Sequence, residues 1–237
     1  MGSSLIDGLI IFFRKNQFRL NFEKKISLNT FEKIITMTTD TLEPQAPSTR
    51  SLFSILALTE VMPLSKGLKT FLSQKIQQVN FKRGEIFCHE GEMCHRLYIL
   101  KKGVARGFLT LEQTEITTWL CLEKEFIICF NSYLKNIPSK ENFQALEDCH
   151  FDYIELEDLT HCFNHFPEMQ VLYRSLLEKY FLASYDREII LRIPNASDRF
   201  NYFKQNFKRG LIEKVPAKYL ASFLGMRPET FCRISKE

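Results

Sequence analysis

The chain has 237 residues, 45% apolar and 25% charged. That composition excludes wholesale disorder and is long enough for one large domain or two small ones. The net charge of +4 names no partner by itself. Seven cysteines, an odd number without a secretory leader, read as reduced thiols in a cytoplasmic protein. No run of 18 or more apolar residues is present, so neither a transmembrane helix nor a membrane partner is expected.

Taken in order, residues 1–50 alternate short apolar pieces with Thr, Asn and Lys, and end in Thr41–Thr49, where Pro44 and Pro47 sit among small polar residues. This reads as a leader and linker whose role is unassigned: a short helix, a loose arm, or translation from an upstream start. From Pro63 to Lys75, Leu64, Leu68, Phe71 and Leu72 fall at helical spacing, with Ser65 as N-cap. The period then changes. Val79–Phe81, Ile86–Cys88, Leu97–Leu100, Val104–Leu111, Ile116–Leu122, Asn142–Leu146 and Phe151–Leu156 are short apolar or alternating runs. A turn or charged break recurs about every eight to twelve residues, which predicts a β-barrel or sandwich over residues 51–165.

A helix returns near Pro167. Tyr173, Leu176, Tyr180, Ala183, Arg187 and Ile190 recur at steps of three and four until Pro194, a seam suited to pairing with a second copy; a buried core helix is the plainer reading. This assigns residues 166–194 to a dimerisation helix. Residues 195–237 predict three helices, Ser197–Phe207, Pro216–Leu224 and Pro228 onward, with Pro216 and Pro228 at first helical positions.

Divided by segment, the charge becomes informative. Residues 51–165 carry 12 basic and 15 acidic side chains, whereas residues 197–237 carry 9 basic and 4 acidic ones. A basic end on an acidic body suggests a nucleic-acid-binding module, although a solvated lysine-rich tail would look the same. The stretch Ala217–Ile234 has helix-turn-helix spacing. Ala221 is small where a second helix crosses, Gly225 supplies the turn, and Leu220, Leu224, Phe231 and Ile234 face inward. Arg227, Glu229, Thr230 and Arg233 are left for the outer face to read base edges, and Lys218 for a phosphate.

Val215–Met226, continuing through Pro228-Glu229-Thr230 and Arg233-Ile234, resembles the Crp/Fnr transcription regulators, in the form common in Bacteroidetes. Upstream, Phe81-Lys82-Arg83-Gly84-Glu85, Glu90-Gly91-Glu92, Leu97-Tyr98-Ile99, Lys102-Gly103, Thr117-Thr118-Trp119 and Ala145-Leu146-Glu147-Asp148 carry the same resemblance. It covers about residues 51–237. It implies an α+β protein with an N-terminal β-roll of the cyclic-nucleotide-binding type, a long dimerisation helix and a C-terminal winged helix-turn-helix. Glu237 comes three residues after Ile234, so a truncated wing is expected. The implied function is a homodimeric regulator reading a pseudo-palindromic operator in double-stranded DNA, with RNA polymerase a further candidate partner. The alternative is a ligand-binding or interaction module whose helix-turn-helix has lost specific DNA binding. The family's nucleotide site needs a Gly-Glu pair and an arginine. Here Ile128 and Cys129 stand at the first two positions and Ser139 at the third, so cyclic AMP is not expected as a cofactor and no other effector is named.

Other constellations carry less. His161-Cys162-x2-His165 and Cys149-His150 lack paired metal-ligand spacing and read as ordinary core and surface residues. Cys88 and Cys94 flank a turn, either as a redox pair or as small buried apolar residues. No nucleophile–base order supports an enzyme.

Overall fold

The computed structural model describes residues Leu52–Lys236. The leader and linker expected over residues 1–50 lie outside the described residues. Alternating apolar runs that must bury one face each build two four-stranded antiparallel sheets. The strands are β1 (Gln77–Phe81), β2 (Ile86–Cys88), β3 (Arg96–Lys102), β4 (Ala105–Leu111), β5 (Thr114–Cys121), β6 (Phe126–Ile128), β7 (Asn142–Ala145) and β8 (Cys149–Glu155). One sheet runs β1-β8-β3-β6 and the other β2-β7-β4-β5. Leu100, Ala105, Ile127, Phe143 and Phe151, drawn from both sheets, share one buried core. The Phe81 and Phe87 rings stack there 4.9 Å apart, and Tyr98 and Phe151 pack on them and on each other edge-on or tilted at 5.1–6.3 Å. This is the β-roll. Seven of the eight strands lie within two residues of the sequence expectation; β6, only three residues long, was not anticipated.

Helices enclose the roll. They are α1 (Leu52–Val61), α2 (Lys66–Lys75), α3 (Phe130–Lys135), α4 (Leu156–His165), α5 (Glu168–Arg192), α6 (Ala196–Asn206), α7 (Arg209–Lys214), α8 (Ala217–Phe223) and α9 (Pro228–Ile234). Ser65 caps α2 as expected, its Oγ accepting the Leu68 N–H at 3.2 Å. Leu68 and Leu72 of α2 join Ile99, Ile154, Leu159 and Leu172 in a second core against the outer face of β3 and β8. The buried Asp152 carboxylate ties α1 to the sheet. It accepts Ser54 Oγ at 2.6 Å and Gln78 Nε2 at 3.2 Å, and Lys101 Nζ stands 3.2 Å away, which is how a desolvated charge is tolerated. Among the described residues no helix is long and apolar enough to cross a membrane.

Three expectations need correction. First, the stripe Tyr173–Ile190 is not a free seam. Tyr173 packs on Tyr133 and Phe163, Tyr180 on Phe130, Arg187 donates to the Thr117 carbonyl, and Ile190 is fully buried. Most of that face of α5 is covered by its own chain, although Ala183 and part of Tyr180 stay exposed, as do Val171, Phe181, Leu182, Tyr185 and Leu191. Second, Cys88 and Cys94 are joined in a disulfide, Cα atoms 6.3 Å apart, and are not reduced thiols. Third, Pro228 does occupy the first turn of α9, but Pro216 is the N-cap of α8. Four helices were also unanticipated. In α1 the apolar run is too continuous to show a period, α3 and α7 are six residues each, and α4 follows β8 with no turn residue between them.

Strand β4 shows how closely the roll is packed. A bulge follows Gly107, which pairs with Trp119 of β5. A Cβ at Gly107 would lie 2.1 Å from Trp119 Nε1. Gly107→Ala is therefore expected to lower the unfolding free energy by about 1–3 kcal/mol through overpacking. Urea denaturation measures it, and a variant as stable as the parent would show that the indole moves aside freely.

Candidate functional site

The C-terminal helices build the first candidate site. Helix α8 ends at Leu224, and Gly225 follows at φ +62°. The Gly225 N–H donates to Ser222 O at 3.1 Å and the Met226 N–H to Ala221 O at 3.0 Å, a pairing that closes a helix when the next residue is left-handed. The Arg199 guanidinium of α6 donates to the Leu224 and Gly225 carbonyls at 2.7 and 2.8 Å. It thus satisfies the helix-end acceptors with a cation. Ala221 is fully buried, and Leu220, Phe223, Leu224, Phe231 and Ile234 join Ile190, Phe200 and Phe203 in a third core.

With those residues turned inward, Arg227, Glu229 and Arg233 are exposed and Thr230 is half-buried. The structure brings these four together on α9 and its N-cap. Arg227, Glu229 and Arg233 make no ion pair among the described residues and present their full charge outward. Lys218 is exposed on α8, its Nζ 4.5 Å from the centroid of the Tyr219 ring.

The anchor of this module was missed in the sequence. Arg106 of β4 is 1% exposed. Its Nε donates to Gln144 Oε1 at 2.9 Å, Nη1 reaches Thr117 Oγ1 at 3.4 Å, and Nη2 pairs with Glu115. The guanidinium also stacks 4.2 Å from the Phe108 ring and 3.8 Å from the Tyr219 ring. Ser222 Oγ accepts the Thr117 N–H at 2.9 Å and donates to Glu115 O at 3.3 Å. Arg187 of α5 donates to Thr117 O at 2.9 Å and lies over the Phe223 ring. Burial lowers its pKa, and its Nε is buried without a partner. Lys214 pairs with Glu123 at 3.0 Å, holding that carboxyl below its usual range, and Lys208 pairs with Glu125. A charged residue inside the apolar run Val104–Leu111 was the only available signal.

The second candidate site lies in the β-roll. Ile128, Cys129 and Ser139, the positions singled out in the sequence, line one cavity of about 120 Å³. Ser139 is buried, and its Oγ is committed to the Glu141 backbone, donating to O at 2.7 Å and accepting from N at 3.1 Å. The carboxylate of Glu141 accepts Trp119 Nε1 at 3.2 Å. Among the described residues no basic side chain lines the cavity.

Several resemblance motifs prove to hold one another. The Asp148 carboxylate accepts the Arg83 N–H at 3.0 Å and pairs with Lys82 at 3.0 Å, which keeps it below the usual carboxylate range. Gly91 N–H donates to Ser139 O, and Ser139 N–H to Glu92 O. Cys162 is buried, while His161 and His165 stack with each other on the exposed face of α4. Among the described residues no three potential metal ligands converge.

Residues 78–166 match the cyclic nucleotide-binding domain family. No curated protein matches the chain. Three solved regulators of the Crp/Fnr family share its fold. FixK2 from Bradyrhizobium japonicum is 13% identical, with 68% of this chain and 83% of that one covered, at TM-score 0.56. CLP from Xanthomonas campestris, a c-di-GMP-responsive global regulator of virulence gene expression, is 14% identical, covering 73% and 90%, at TM-score 0.59. A CooA variant from Carboxydothermus hydrogenoformans is 16% identical, covering 76% and 82%, at TM-score 0.57. Of a cAMP-bound PfPKA-R fragment the chain spans less than half, 45%.

Arg106→Ala is expected to cost about 2–4 kcal/mol, because it leaves a void between two rings and strips the buried hydrogen bonds. Amide exchange in α8 should accelerate more than exchange in β8. Uniform acceleration across the chain would show that Arg106 stabilises the roll and not the docked helix.

Proposed function

We propose that the chain is a homodimeric DNA-binding transcription regulator of the Crp/Fnr type, acting in the cytoplasm without catalytic activity. Residues 51–165 serve as a sensor domain, 166–194 as the dimerisation helix and 195–237 as the DNA-binding module. The observation that carries this reading is the outer face of α9. Phe231 and Ile234 are buried beneath it, while Arg227, Glu229 and Arg233 stand exposed with no ion pair among the described residues. A short helix held at a tight turn with free polar side chains on one face suits the major groove, where arginine pairs with guanine and glutamate accepts from cytosine. Thr230 flanks these contacts and Lys218 is placed for a phosphate. The fold shared with three regulators supports the assignment. RNA polymerase would be a partner at the promoter.

The exposed Val171, Phe181, Leu182 and Tyr185 face of α5 is the surface proposed to meet a second copy. At about 100° per residue these four fall within one third of the helix circumference, opposite the stripe that packs on the chain itself. The β-roll cavity is proposed not to hold cyclic AMP in the family's way, because burying a cyclic phosphate beside Glu141 without an arginine costs several kcal/mol.

Selection from a random duplex library followed by binding titration tests the DNA reading. A specific site should bind with affinity that falls steeply with salt, and Arg233→Ala should lose about 1–3 kcal/mol and relax preference at one position of each half-site. Sequence-insensitive binding, or equal binding by variant and parent, would overturn it. Leu182→Asp should convert the dimer to a monomer in analytical ultracentrifugation while leaving the circular dichroism spectrum unchanged. A variant that stays dimeric would place the interface elsewhere.

A further inference from the structure

The cavity that holds no cation has a neighbour. A second cavity of about 70 Å³ lies between the outer face of the β3–β8 sheet and helices α2, α4 and α5, lined by Leu97, Ile99, Ile154, Leu172 and Leu176 among others, with no charged side chain. Ile128, Phe130 and Tyr180 line both cavities, so the two meet at these three side chains. The Tyr180 hydroxyl is spent on Phe126 O at 2.7 Å.

The two ends have opposite chemistry. At the larger cavity the rings of Trp119, Phe130 and Tyr180 stand with the Glu141 carboxylate, while the Ser139 hydroxyl is already committed to backbone. Aromatic rings beside a carboxylate suit an organic cation and disfavour an anion. Lys140 is exposed and does not line the cavity. Arg187 lies near enough for its charge to act on Glu141, but its guanidinium donates to Thr117 O and stacks on Phe223. The smaller cavity has roughly half the volume of an engineered apolar cavity that stays dry and admits benzene. It has room for a few carbons, and the side chains around it lack contacts that such a chain would supply.

We infer that the paired cavities form one site for a small alkylammonium ligand, its ammonium group at Glu141 among the three rings and its short apolar tail between Ile99 and Leu176. The inference rests on the reading of the β-roll as a sensor. Its chemistry is independent of DNA. A ligand there would press on Leu176 and Tyr180 of α5, the helix that also carries Arg187 to the docked α8.

Trp119 is the chain's single tryptophan and lines the site, so its fluorescence reports occupancy directly. The purified full chain is titrated without DNA against n-butylammonium, 1-butanol, butyrate and cyclic AMP. Saturable binding of butylammonium, weaker binding of butanol and none of butyrate are expected. Glu141→Gln should weaken butylammonium about tenfold, to the level of butanol, as loss of one charge-assisted contact implies. Leu176→Phe, which fills the apolar cavity, should weaken butylammonium but not tetramethylammonium. Far-ultraviolet circular dichroism confirms that both variants fold. Butyrate or cyclic AMP binding as tightly as the amine, or no saturable response to the amine by the folded parent, would overturn the inference. DNA binding retained alongside such a failure would leave the regulator reading intact, whereas amine binding without sequence-specific DNA binding would do the reverse.

Discussion

A guanidinium taken fully out of water is the constraint on which the arrangement turns. Arg106 would be too costly in a strand core without charge and hydrogen-bond partners. The molecule supplies Glu115, Gln144 and Thr117 from neighbouring strands and stacks the guanidinium on the Phe108 and Tyr219 rings. Tyr219 belongs to α8, so satisfying this one charge binds a C-terminal helix to β4 and β5. Ser222 and Arg187 converge on Thr117 at the same seam. The turn after α8, stapled by Arg199, then fixes the direction in which α9 presents its polar face. The orientation of the proposed recognition helix is therefore set from inside the β-roll.

Helix α5 links the two candidate sites physically. One face closes the β-roll cavities with Tyr173, Leu176 and Tyr180; further along the same face Arg187 and Ile190 meet the C-terminal core. A rigid helix touching both sites is the kind of element through which occupancy of one can bias the other, provided that it has two arrangements. The opposite face, with Leu182 and Tyr185 exposed among the described residues, is the surface proposed to meet a second copy. The charge asymmetry also has two uses. Lys208 and Lys214 spend the basic excess on Glu125 and Glu123 of the body, worth little each at this exposure, while Arg227 and Arg233 stand exposed without an ion pair among the described residues.

Much of this was legible in residue order. The strands announced themselves because each alternates about a buried face, and the turn in residues 224–226 because only glycine takes φ +62° cheaply there. The inward positions Leu220, Ala221, Phe231 and Ile234 followed from helical spacing. Other features were hidden for definite reasons. The stripe along α5 has the right period for a seam, but period reports only that a face is buried, not which surface covers it. The Cys88–Cys94 bridge depends on two Cα atoms being brought to 6.3 Å. Glu141 looked like a charge beside a missing arginine, and only packing showed it beside Trp119 at the cavity wall.

Local chemistry, then, determined most of the elements and the two-part charge distribution, because each depends on residues close in sequence. Tertiary structure decided what those elements face. Arg106 and Tyr219 are 113 positions apart, and no periodicity connects them. Their contact exists because a charge buried by one part of the chain has to be satisfied by another.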